Sequence, residues 1–332
     1  MAEHVLVTGG AGFIGSHACK ALAKAGVIPV TYDNLSHGHE WAVKWGPLER
    51  GDLLDKARLS AVLARYRPAA VLHFAAFAYV GESVVEPEKY YTNNVAGSLS
   101  LLSAMREHGT SEIVFSSTCA VYGNAMKSRI DESHELKPIN PYGVTKLTVE
   151  RMLGDFSSAY GIRSICLRYF NAAGSDPDGD IGEDHDPEPH LIPRVLDAAL
   201  GRSPHIEIYG TDYETEDGSC VRDFIHVSDL AEAHVLAARR LRAGGETAMF
   251  NLGTGEGHSV KQVIATAEQV TGATIPVVER SRRPGDPPIL VADPGLAWSA
   301  LGWRAHRSDL RTQVEDAWSW WKAHHERTQS RG

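Results

Sequence analysis

The chain has 332 residues, of which 43% are apolar and 23% are charged, and its formal net charge is −9. This composition is typical of a globular protein that is long enough to bury a substantial core in one large or two modest domains. The acidic balance provides no basic face for nucleic acid or an anionic membrane, so backbone N–H groups and a few arginines would have to hold any phosphate ester.

The first half of the chain alternates predicted strands with predicted helices. Val5 to Val7 form a short apolar strand, which a glycine turn separates from a helix that starts near Ile14. Further strands are predicted in "VIPVTYDN", around Val71–Phe74, in "SEIVFSST" and in "RSICLRYFN", each after a helical segment such as Asp55–Tyr66. Because these strands are apolar throughout, the pattern predicts an α/β fold with a doubly wound parallel sheet.

The pattern changes after Asn171, where "GSDPDGDIGEDHDPEPH" predicts a loop. We expect two domains, residues 1–174 and a smaller α/β substrate-binding domain over residues 175–332. Short strand-like pieces near 223–230 and 249–254 are expected to return to the first sheet. The helices predicted beyond the loop are Leu191–Leu200, Asp229–Leu241, Ser259–Val270 and Arg311–His325.

The cysteines and the apolar runs bear on compartment and metal content. Cys19, Cys119, Cys166 and Cys220 are far apart and no C-x-x-C occurs, which predicts neither a disulfide framework nor a metal site. No apolar run approaches the roughly 20 residues that span a bilayer, and no signal peptide is recognised before the first strand. We therefore expect a cytoplasmic protein.

The glycine turn "TGGAGFIG" predicts a dinucleotide site. Gly9, Gly12 and Gly15 follow a strand and open a helix, where free N–H groups and the helix dipole favour a pyrophosphate. Asp33 ends the second strand, where a carboxylate accepts bonds from ribose hydroxyls and repels a 2′-phosphate; this favours NAD over NADP and predicts a Rossmann-type domain. Asp33 could instead cap a turn, and Asp52 fits either an adenine contact or a helix N-cap before Leu54.

The stretch "PYGVTK" places Tyr142 and Lys146 on one face of a predicted helix, with Asn140 as its cap. A buried ammonium beside a phenol lowers the phenol pKa from its ordinary value of about 10, as a general base at neutral pH requires. Most tyrosine–lysine pairs at this spacing merely share a helix face, so the pair needs a third group.

"FSSTCAVYG" supplies hydroxyl groups at the carboxyl end of a buried strand, where open α/β sheets bind ligands. Ser116, Ser117 and Thr118 could each hydrogen-bond a substrate hydroxyl that Tyr142 deprotonates, or could each simply cap a turn or helix.

Together these segments resemble the extended short-chain dehydrogenase/reductase family, and within it the sugar-nucleotide 4-epimerases. The glycine motif and the Tyr142/Lys146 pair are shared by the whole superfamily, whereas "YETEDGSCVRDFIHV" and "RRPGDPP" are far more specific. The resemblance extends over nearly the whole chain through "VLVTGGAGFIGSH", "YDNLS", "HFAAFAYVGESV", "YYTNNVAGS", "FSSTCAVYG", "PYGVTKL", "LRYFNAAG", "GEDHDPEPHLIP", "YGTDYETEDGSCVRDFIHVSDLA", "NLGTG" and "RRPGDPP".

The resemblance implies reversible interconversion of UDP-glucose and UDP-galactose by transient C4 oxidation with tightly bound NAD, rotation of the 4-keto sugar and re-reduction. It implies catalytic roles for Tyr142, Lys146 and Thr118. The implied cofactor-binding residues are Gly9, Gly12, Phe13, Ile14, Gly15, Asp33, Asn34, Asp52, Leu53, Phe74, Ala75, Ala76, Asn93, Ser116, Tyr142, Lys146 and Tyr169. The implied substrate-binding residues are Thr118, Tyr142, Asn171, Leu191, Tyr209, Arg222, Arg283, Asp286 and Leu290.

Three positions depart from the pattern of these relatives. Thr118 stands where serine is frequent, and Ala78 stands where some relatives carry a lysine, with Tyr79 next to it. Leu290 occupies the position that gates the space around the sugar 2-substituent; a tyrosine there accompanies rejection of N-acetyl sugars and a small residue their acceptance. Acceptance of N-acetylated sugars therefore stays open.

Several alternative functions remain. Another UDP-sugar 4-epimerase, acting on N-acetylglucosamine/N-acetylgalactosamine, xylose/arabinose or glucuronate derivatives, is the runner-up. A 4,6-dehydratase would need an Asp-Glu pair after Thr118, where Cys119 and Ala120 stand. A silent NAD-binding protein and an oxidoreductase that releases NADH are the others.

The resemblance also implies a homodimer through helices near Val95–His108 and Leu147–Ala159.

Overall fold

The computed structural model describes residues 3–124, 129–283 and 286–329. Within these ranges the chain forms fourteen strands, numbered in chain order: β1 His4–Thr8, β2 Ile28–Asp33, β3 Leu48–Arg50, β4 Ala70–His73, β5 Glu112–Thr118, β6 Arg163–Tyr169, β7 Asn171–Ala173, β8 Ile206–Tyr209, β9 Val221–Arg222, β10 Phe224–His226, β11 Ala248–Leu252, β12 His258–Ser259, β13 Val277–Arg280 and β14 Ile289–Leu290.

The same ranges form eleven α-helices: α1 Phe13–Lys24, α2 Lys56–Tyr66, α3 Val80–Val85, α4 Pro87–Tyr90, α5 Gly97–His108, α6 Pro141–Tyr160, α7 Leu191–Ala199, α8 Val227–Arg242, α9 Val260–Thr271, α10 Gly295–Leu301 and α11 Leu310–Gln329. Asn140 is the N-cap of α6, as predicted, because its side-chain oxygen accepts a hydrogen bond from the Gly143 amide at 2.8 Å. None of the described helices combines the length and apolarity needed to cross a membrane.

Seven parallel strands form the main sheet in the order β11-β6-β5-β4-β1-β2-β3. The sequential order reverses between β1 and β4, so the connections on either side of these strands leave the sheet in opposite directions. A crevice forms at such a point outside the carboxyl ends of the strands, and ligands of open α/β sheets bind there. The predicted doubly wound parallel sheet is confirmed.

Successive side chains of β1 enter opposite cores, as the two-residue period of a strand requires. Val5 and Val7 pack with α1 and α8 on one face of the sheet. Leu6 packs with α2, α5 and α6 on the other face. All three side chains are buried, and helices therefore cover both faces of the sheet.

Helices α7, α9 and α11 and strand β8, all in the second half of the chain, enclose a separate hydrophobic core. β11 is the edge strand of the main sheet and pairs with β6. β10 does not join that sheet, contrary to expectation, because it pairs with β7 in a separate two-stranded sheet. The helix that follows it, α8, nevertheless packs on α1 and β5. The division into two domains at residue 174 stays a prediction.

A buried ion pair joins α6 to the main sheet. The guanidinium of Arg168 on β6 donates to both carboxylate oxygens of Glu150 on α6, at 2.9 and 2.6 Å, and to the Tyr122 hydroxyl at 2.9 Å. The Ser117 hydroxyl donates to the same carboxylate at 2.5 Å. Both charged side chains are 2% exposed, so each depends on the other for its compensation.

We expect Arg168→Met to lower the free energy of unfolding by about 3–5 kcal/mol, because it leaves the Glu150 carboxylate buried without its cation. The double variant Arg168→Met/Glu150→Leu should recover a large part of that loss, since no uncompensated charge remains. Urea denaturation followed by circular dichroism measures both. Equal stability of the single variant and the native chain would contradict this account of the pair.

Candidate active site

A cavity of about 480 Å³ opens at the carboxyl ends of the main-sheet strands, where the strand order reverses. It begins at the glycine turn after β1 and extends past the N-terminus of α6 to Arg222 and Leu290. A second cavity of about 220 Å³ adjoins it, and both are lined by Asn171, Arg222 and Asp286. The two cavities together offer an elongated site.

The glycine turn brings backbone close to backbone at one end of the cavity. A Cβ atom on Gly9 would lie 2.6 Å from the Ala75 nitrogen, and one on Gly15 would lie 2.1 Å from the Gly9 carbonyl oxygen. Gly9 also has a φ of 73°, in the region that favours glycine. Gly12 is the N-cap of α1 and supplies no side chain to bond its first amides. These residues fit a pyrophosphate against the helix N-terminus.

Asp33 combines the two roles considered for it. Its carboxylate accepts hydrogen bonds from the backbone amides of Ala11 and Leu35, at 3.0 and 2.8 Å, so it does cap a turn. It also lines the cavity, and a carboxylate has lone pairs left for ribose hydroxyls. Burial raises the pKa of Asp33, and the two amide bonds oppose that rise.

Asp52 is neither a helix N-cap nor a wall of the larger cavity. Asp55 caps α2, and the carboxylate of Asp52 accepts bonds from the Leu54 amide at 2.9 Å and the Asn34 side chain at 2.8 Å. The neighbouring residues Gly51 and Leu53 line the cavity instead. The adenine contact of Asp52 stays a prediction.

Tyr142 and Lys146 lie in the first two turns of α6, at the floor of the cavity. The Lys146 ammonium donates to the Ser116 carbonyl at 2.7 Å and lies 5.9 Å from the centroid of the Tyr142 ring. Both side chains are buried, Lys146 to 3% exposure. The pair is therefore fixed to the carboxyl end of β5.

Burial controls the pKa of both groups. It raises the pKa of Tyr142; nearby Tyr169 acts in the same direction, and a hydrogen bond with Thr118 opposes the rise. Burial lowers the pKa of Lys146 to about 7, against the attraction of Glu150. The expectation that Lys146 lowers the Tyr142 pKa is therefore wrong for this structure, because desolvation of the phenolate dominates.

The three hydroxyls at the end of β5 take different places. Thr118 hydrogen-bonds Tyr142 and accepts a bond from the Ala120 amide at 3.1 Å, so it both faces the cavity and caps a short turn. Ser116 also lines the cavity and bonds the Tyr169 hydroxyl. Ser117 points to Glu150 on the opposite side of the strand. The alternation of side chains along a strand explains this separation.

Two arginines with acidic or aromatic partners lie at the other end of the site. Arg222 donates to the Asp286 carboxylate at 2.9 Å, so its ion-pair partner is Asp286 and not the adjacent Asp223. The Arg283 guanidinium stacks over the Tyr209 ring, 3.8 Å from its centroid. The smaller cavity is therefore lined by two guanidinium groups, an aromatic ring and a carboxylate, from Arg222, Arg283, Tyr209 and Asp286.

The two cavities bring together nearly all the residues singled out in the sequence. Of the residues that the resemblance implies for cofactor binding, all except Asp52 line the larger cavity. Leu191, Tyr209 and Arg283 line the smaller one. Thr118 and Leu290 line the larger cavity. Pro284 and Gly285 of "RRPGDPP" lie outside the described residues.

Sequence reasoning missed part of the wall. Phe77, Tyr79, Glu183, His185 and His190 also line the larger cavity. The last three belong to a segment that was predicted to be a loop and that contributes to the family resemblance, but none of the three was assigned a role in the site. The signal that could have identified them is the alternation of acid and imidazole groups in "GEDHDPEPH".

Residues 5–253 match the model of the NAD dependent epimerase/dehydratase family. A UDP-glucose 4-epimerase of Rhizobium leguminosarum bv. trifolii is 52% identical over 318 residues, which cover 96% of this chain and 97% of that protein. The crystal structure of UDP-glucose 4-epimerase from Brucella ovis in complex with NAD is 54% identical with a TM-score of 0.94, covering 96% of this chain and 98% of that one. UDP-glucose-4-epimerase from Stenotrophomonas maltophila, with bound NAD and formylated UDP-arabinopyranose, is 40% identical with a TM-score of 0.95, covering 98% and 99%.

We expect Gly15→Ala to lose bound dinucleotide, because its Cβ would lie 2.1 Å from the Gly9 carbonyl oxygen. Gly154→Ala is the matched control: it also lies in a helix, and its Cβ would meet nothing within 4 Å. The control should be neutral or stabilising by up to about 1 kcal/mol. An enzymatic assay of NAD released from each denatured protein gives the result, and thermal melting checks folding. A folded Gly15→Ala protein with the native NAD content would contradict the assignment.

Proposed function

The chain belongs to the NAD dependent epimerase/dehydratase family, and on that premise we propose that it interconverts UDP-glucose and UDP-galactose. It is an NAD-dependent isomerase that inverts the configuration at C4 of the sugar. The UDP-glucose 4-epimerases compared above match almost the whole of this chain and almost the whole of their own length.

One observation carries the proposal: a buried tyrosine, a threonine hydroxyl and a lysine meet at the carboxyl ends of the strands, beside the glycine turn, in a cavity that continues into an arginine-lined one. The first part suits a nicotinamide dinucleotide and a sugar hydroxyl. The second part suits a nucleoside diphosphate, because a guanidinium group can donate two parallel hydrogen bonds to the oxygens of one phosphate.

We assign proton transfer to Tyr142. Its phenolic oxygen takes the proton of the sugar 4-hydroxyl and later returns it, while the Thr118 hydroxyl orients both groups. Bound NAD supplies a reversible hydride acceptor and, with the nicotinamide oxidised, a positive charge that favours the phenolate. Lys146 holds the end of α6 against β5 and adds its own charge when protonated.

Inversion requires the sugar to turn while the nucleotide stays bound. We assign Arg222 and Arg283 to the diphosphate, and Tyr209, Asp286 and the Leu191 backbone to the uridine, with Asn171 between the cavities. The sugar would then rotate about its bond to the diphosphate and present its other face to the cofactor, so these residues must hold the nucleotide while the sugar turns. The Arg222–Asp286 pair keeps both side chains in place before the substrate enters.

The direct test uses purified protein without added cofactor. Incubation with UDP-galactose should give a mixture with UDP-glucose, which the anomeric protons report in an NMR spectrum. Conversion without added NAD would also show that the cofactor is retained through purification. Absence of conversion, with NAD added and with UDP-N-acetylgalactosamine as a second substrate, would refute the proposed activity.

We expect Tyr142→Phe to lower kcat by about 10³-fold, since general acid–base catalysis is typically worth 10²–10⁴-fold. The ring stays in place, so the variant should fold and keep its NAD. A coupled assay for UDP-glucose formation measures the rate. Tyr160→Phe is the matched control, because that side chain is half exposed at the far end of the same helix, and it should retain full activity. Substantial turnover by Tyr142→Phe would show that another group moves the proton.

The residue expected beside the sugar 2-substituent favours a second class of substrate. Leu290 is a half-buried residue of β14, the short strand that pairs with β9, and it lines the larger cavity. Leucine leaves more space than tyrosine and less than serine. The structure from Stenotrophomonas maltophila contains a modified UDP-pentose, so a related cavity admits more than one sugar. We propose that this protein also accepts N-acetylated or pentose UDP-sugars at a lower rate.

Substitutions at Leu290 test the second class. Leu290→Tyr should lower the ratio of kcat/KM for UDP-N-acetylglucosamine to that for UDP-glucose by about tenfold or more, and Leu290→Ser should raise it, since pocket fit is worth about 1–3 kcal/mol. The measurement is steady-state kinetics with both sugars. A ratio unchanged in both variants would exclude Leu290 as the gate.

We also propose a cytoplasmic homodimer. Val84, Val85, Tyr91 and Leu99 expose large apolar side chains on the α3–α5 region, which packs against α6. A second copy of this surface would remove that area from water. All four cysteines are free and buried, which fits a reducing compartment.

A further inference from the structure

The loop before α7 carries a cluster of two carboxylates and two imidazoles. Its members are Glu183, His185, Glu188 and His190, and each offers one ligand atom such that all four atoms lie within 4.8 Å of one another. We propose that this loop binds one divalent transition-metal ion, with Zn²⁺ as the best match. The inference goes beyond the proposed function, because no step of the epimerisation uses the ion.

The distances fit a tetrahedral ion. Ligands at about 2.0–2.2 Å from Zn²⁺ lie about 3.3–3.5 Å from each other in a tetrahedron. His185 Nδ1 lies 3.4 Å from Glu183 Oε1 and 3.4 Å from Glu188 Oε2. His190 Nδ1 lies 3.2 Å from Glu188 Oε1 and 2.6 Å from Glu183 Oε1. The three separations of 3.2–3.4 Å are close to a tetrahedral edge, although the two histidines face different oxygens of Glu188. The 2.6 Å separation is shorter than such an edge, and a movement of the partly exposed His190 ring would have to widen it.

Three atoms that face the centre of the cluster make no hydrogen bond of normal geometry. Glu183 Oε1, His185 Nδ1 and Glu188 Oε2 are buried, and each lies 2.6–3.4 Å from another member of the cluster without forming such a bond. The Glu183 side chain is only 5% exposed, so water does not compensate it. Buried carboxylate oxygens without partners are costly, and an ion at their centre removes that cost.

A second acidic cluster in the same loop provides an internal comparison. Asp176, Asp178 and Asp180 converge in a similar way, but the Lys20 ammonium lies among them and donates to all three, at 2.6, 2.7 and 2.8 Å. That cluster already contains its cation. No lysine or arginine is paired with the four residues of the glutamate–histidine cluster among the described ion pairs. A metal ion would therefore supply there what Lys20 supplies in the first cluster.

The ligand types select the metal. Imidazole nitrogen with carboxylate oxygen is the donor set of zinc and neighbouring transition metals, whereas Ca²⁺ and Mg²⁺ prefer oxygen ligands alone. Four protein ligands leave no open position in a tetrahedral site, which is the arrangement of a structural zinc ion. The spacing of the cysteines, which predicted no metal site, carries no information about this set of ligands.

The ion would fix the segment that enters the substrate cavities. Glu183, His185 and His190 line the larger cavity, and Leu191 directly follows His190 at the start of α7. Joining the two ends of the loop through one ion restricts the position of Leu191 against the nucleotide. We therefore assign the ion a positioning role, which should appear in KM for the UDP-sugar more than in kcat.

The test is the metal content of the native protein, purified without a histidine tag or metal column. Elemental analysis by mass spectrometry should find about one zinc ion per chain. Alternatively, protein from which a chelator has removed the metal should bind about one equivalent of zinc when titrated. His185→Gln and Glu188→Gln should each lose that equivalent. His205→Gln is the matched control, since the His205 side chain pairs with Glu207, which lies outside the cluster, and the substitution should leave the zinc content unchanged.

A stability measurement covers the case in which a variant fails to fold. A chelator should lower the Tm of the native protein and of the His205→Gln control, and added zinc should restore it. If the native protein binds no zinc, cobalt, nickel or manganese stoichiometrically, protonated imidazoles compensate the carboxylates and the proposal is wrong. Binding that persists in both cluster variants would place the ion elsewhere and would also overturn it. Neither outcome depends on turnover, so failure here leaves the proposed function untouched.

Discussion

The site depends on a single buried hydrogen bond between the Lys146 ammonium and the Ser116 carbonyl. It joins the first turns of α6 to the last residues of β5, so it fixes the position of Tyr142 relative to Thr118. The buried Arg168–Glu150 pair holds the same helix one turn further on. Burial shifts the pKa of the Tyr142 phenol and of the Lys146 ammonium away from their ordinary values. Groups with shifted pKa values are typical of catalytic sites.

The fold places two kinds of recognition at opposite ends of one elongated site. Backbone amides and glycines at the switch point of the parallel sheet suit a dinucleotide that stays bound. Charged side chains on β9 and in the segment after β13 suit a nucleotide that must enter and leave. The space between them contains Thr118 and Leu290, and it must let a sugar turn over while both ends stay fixed. In the proposed function, the second half of the chain would select the sugar nucleotide and the first half would supply the groups for the chemistry.

Local patterns predicted the main sheet well because its strands are short, apolar and separated by glycine turns or capped helices. The N-cap at Asn140 and the bounds of α2 and α9 came from such signals. The pairing of β10 with β7 could not be predicted, since sheet membership of a three-residue strand depends on tertiary contacts. The pKa of Tyr142 was misjudged for a related reason: sequence gives the neighbouring charge but not the depth of burial. The cluster around His185 was missed because its ligands meet only after the loop folds back.

In the proposed function, hydride leaves C4 and returns to the same sugar from a cofactor that stays bound. This can be measured with UDP-galactose deuterated at C4 and protein that carries its own NAD, in the presence of excess unlabelled free NADH. UDP-glucose should retain deuterium at C4 through many turnovers, as mass spectrometry and NMR would show. Loss of deuterium to water or to the free NADH pool would contradict that expectation, because the hydride would then have left the site.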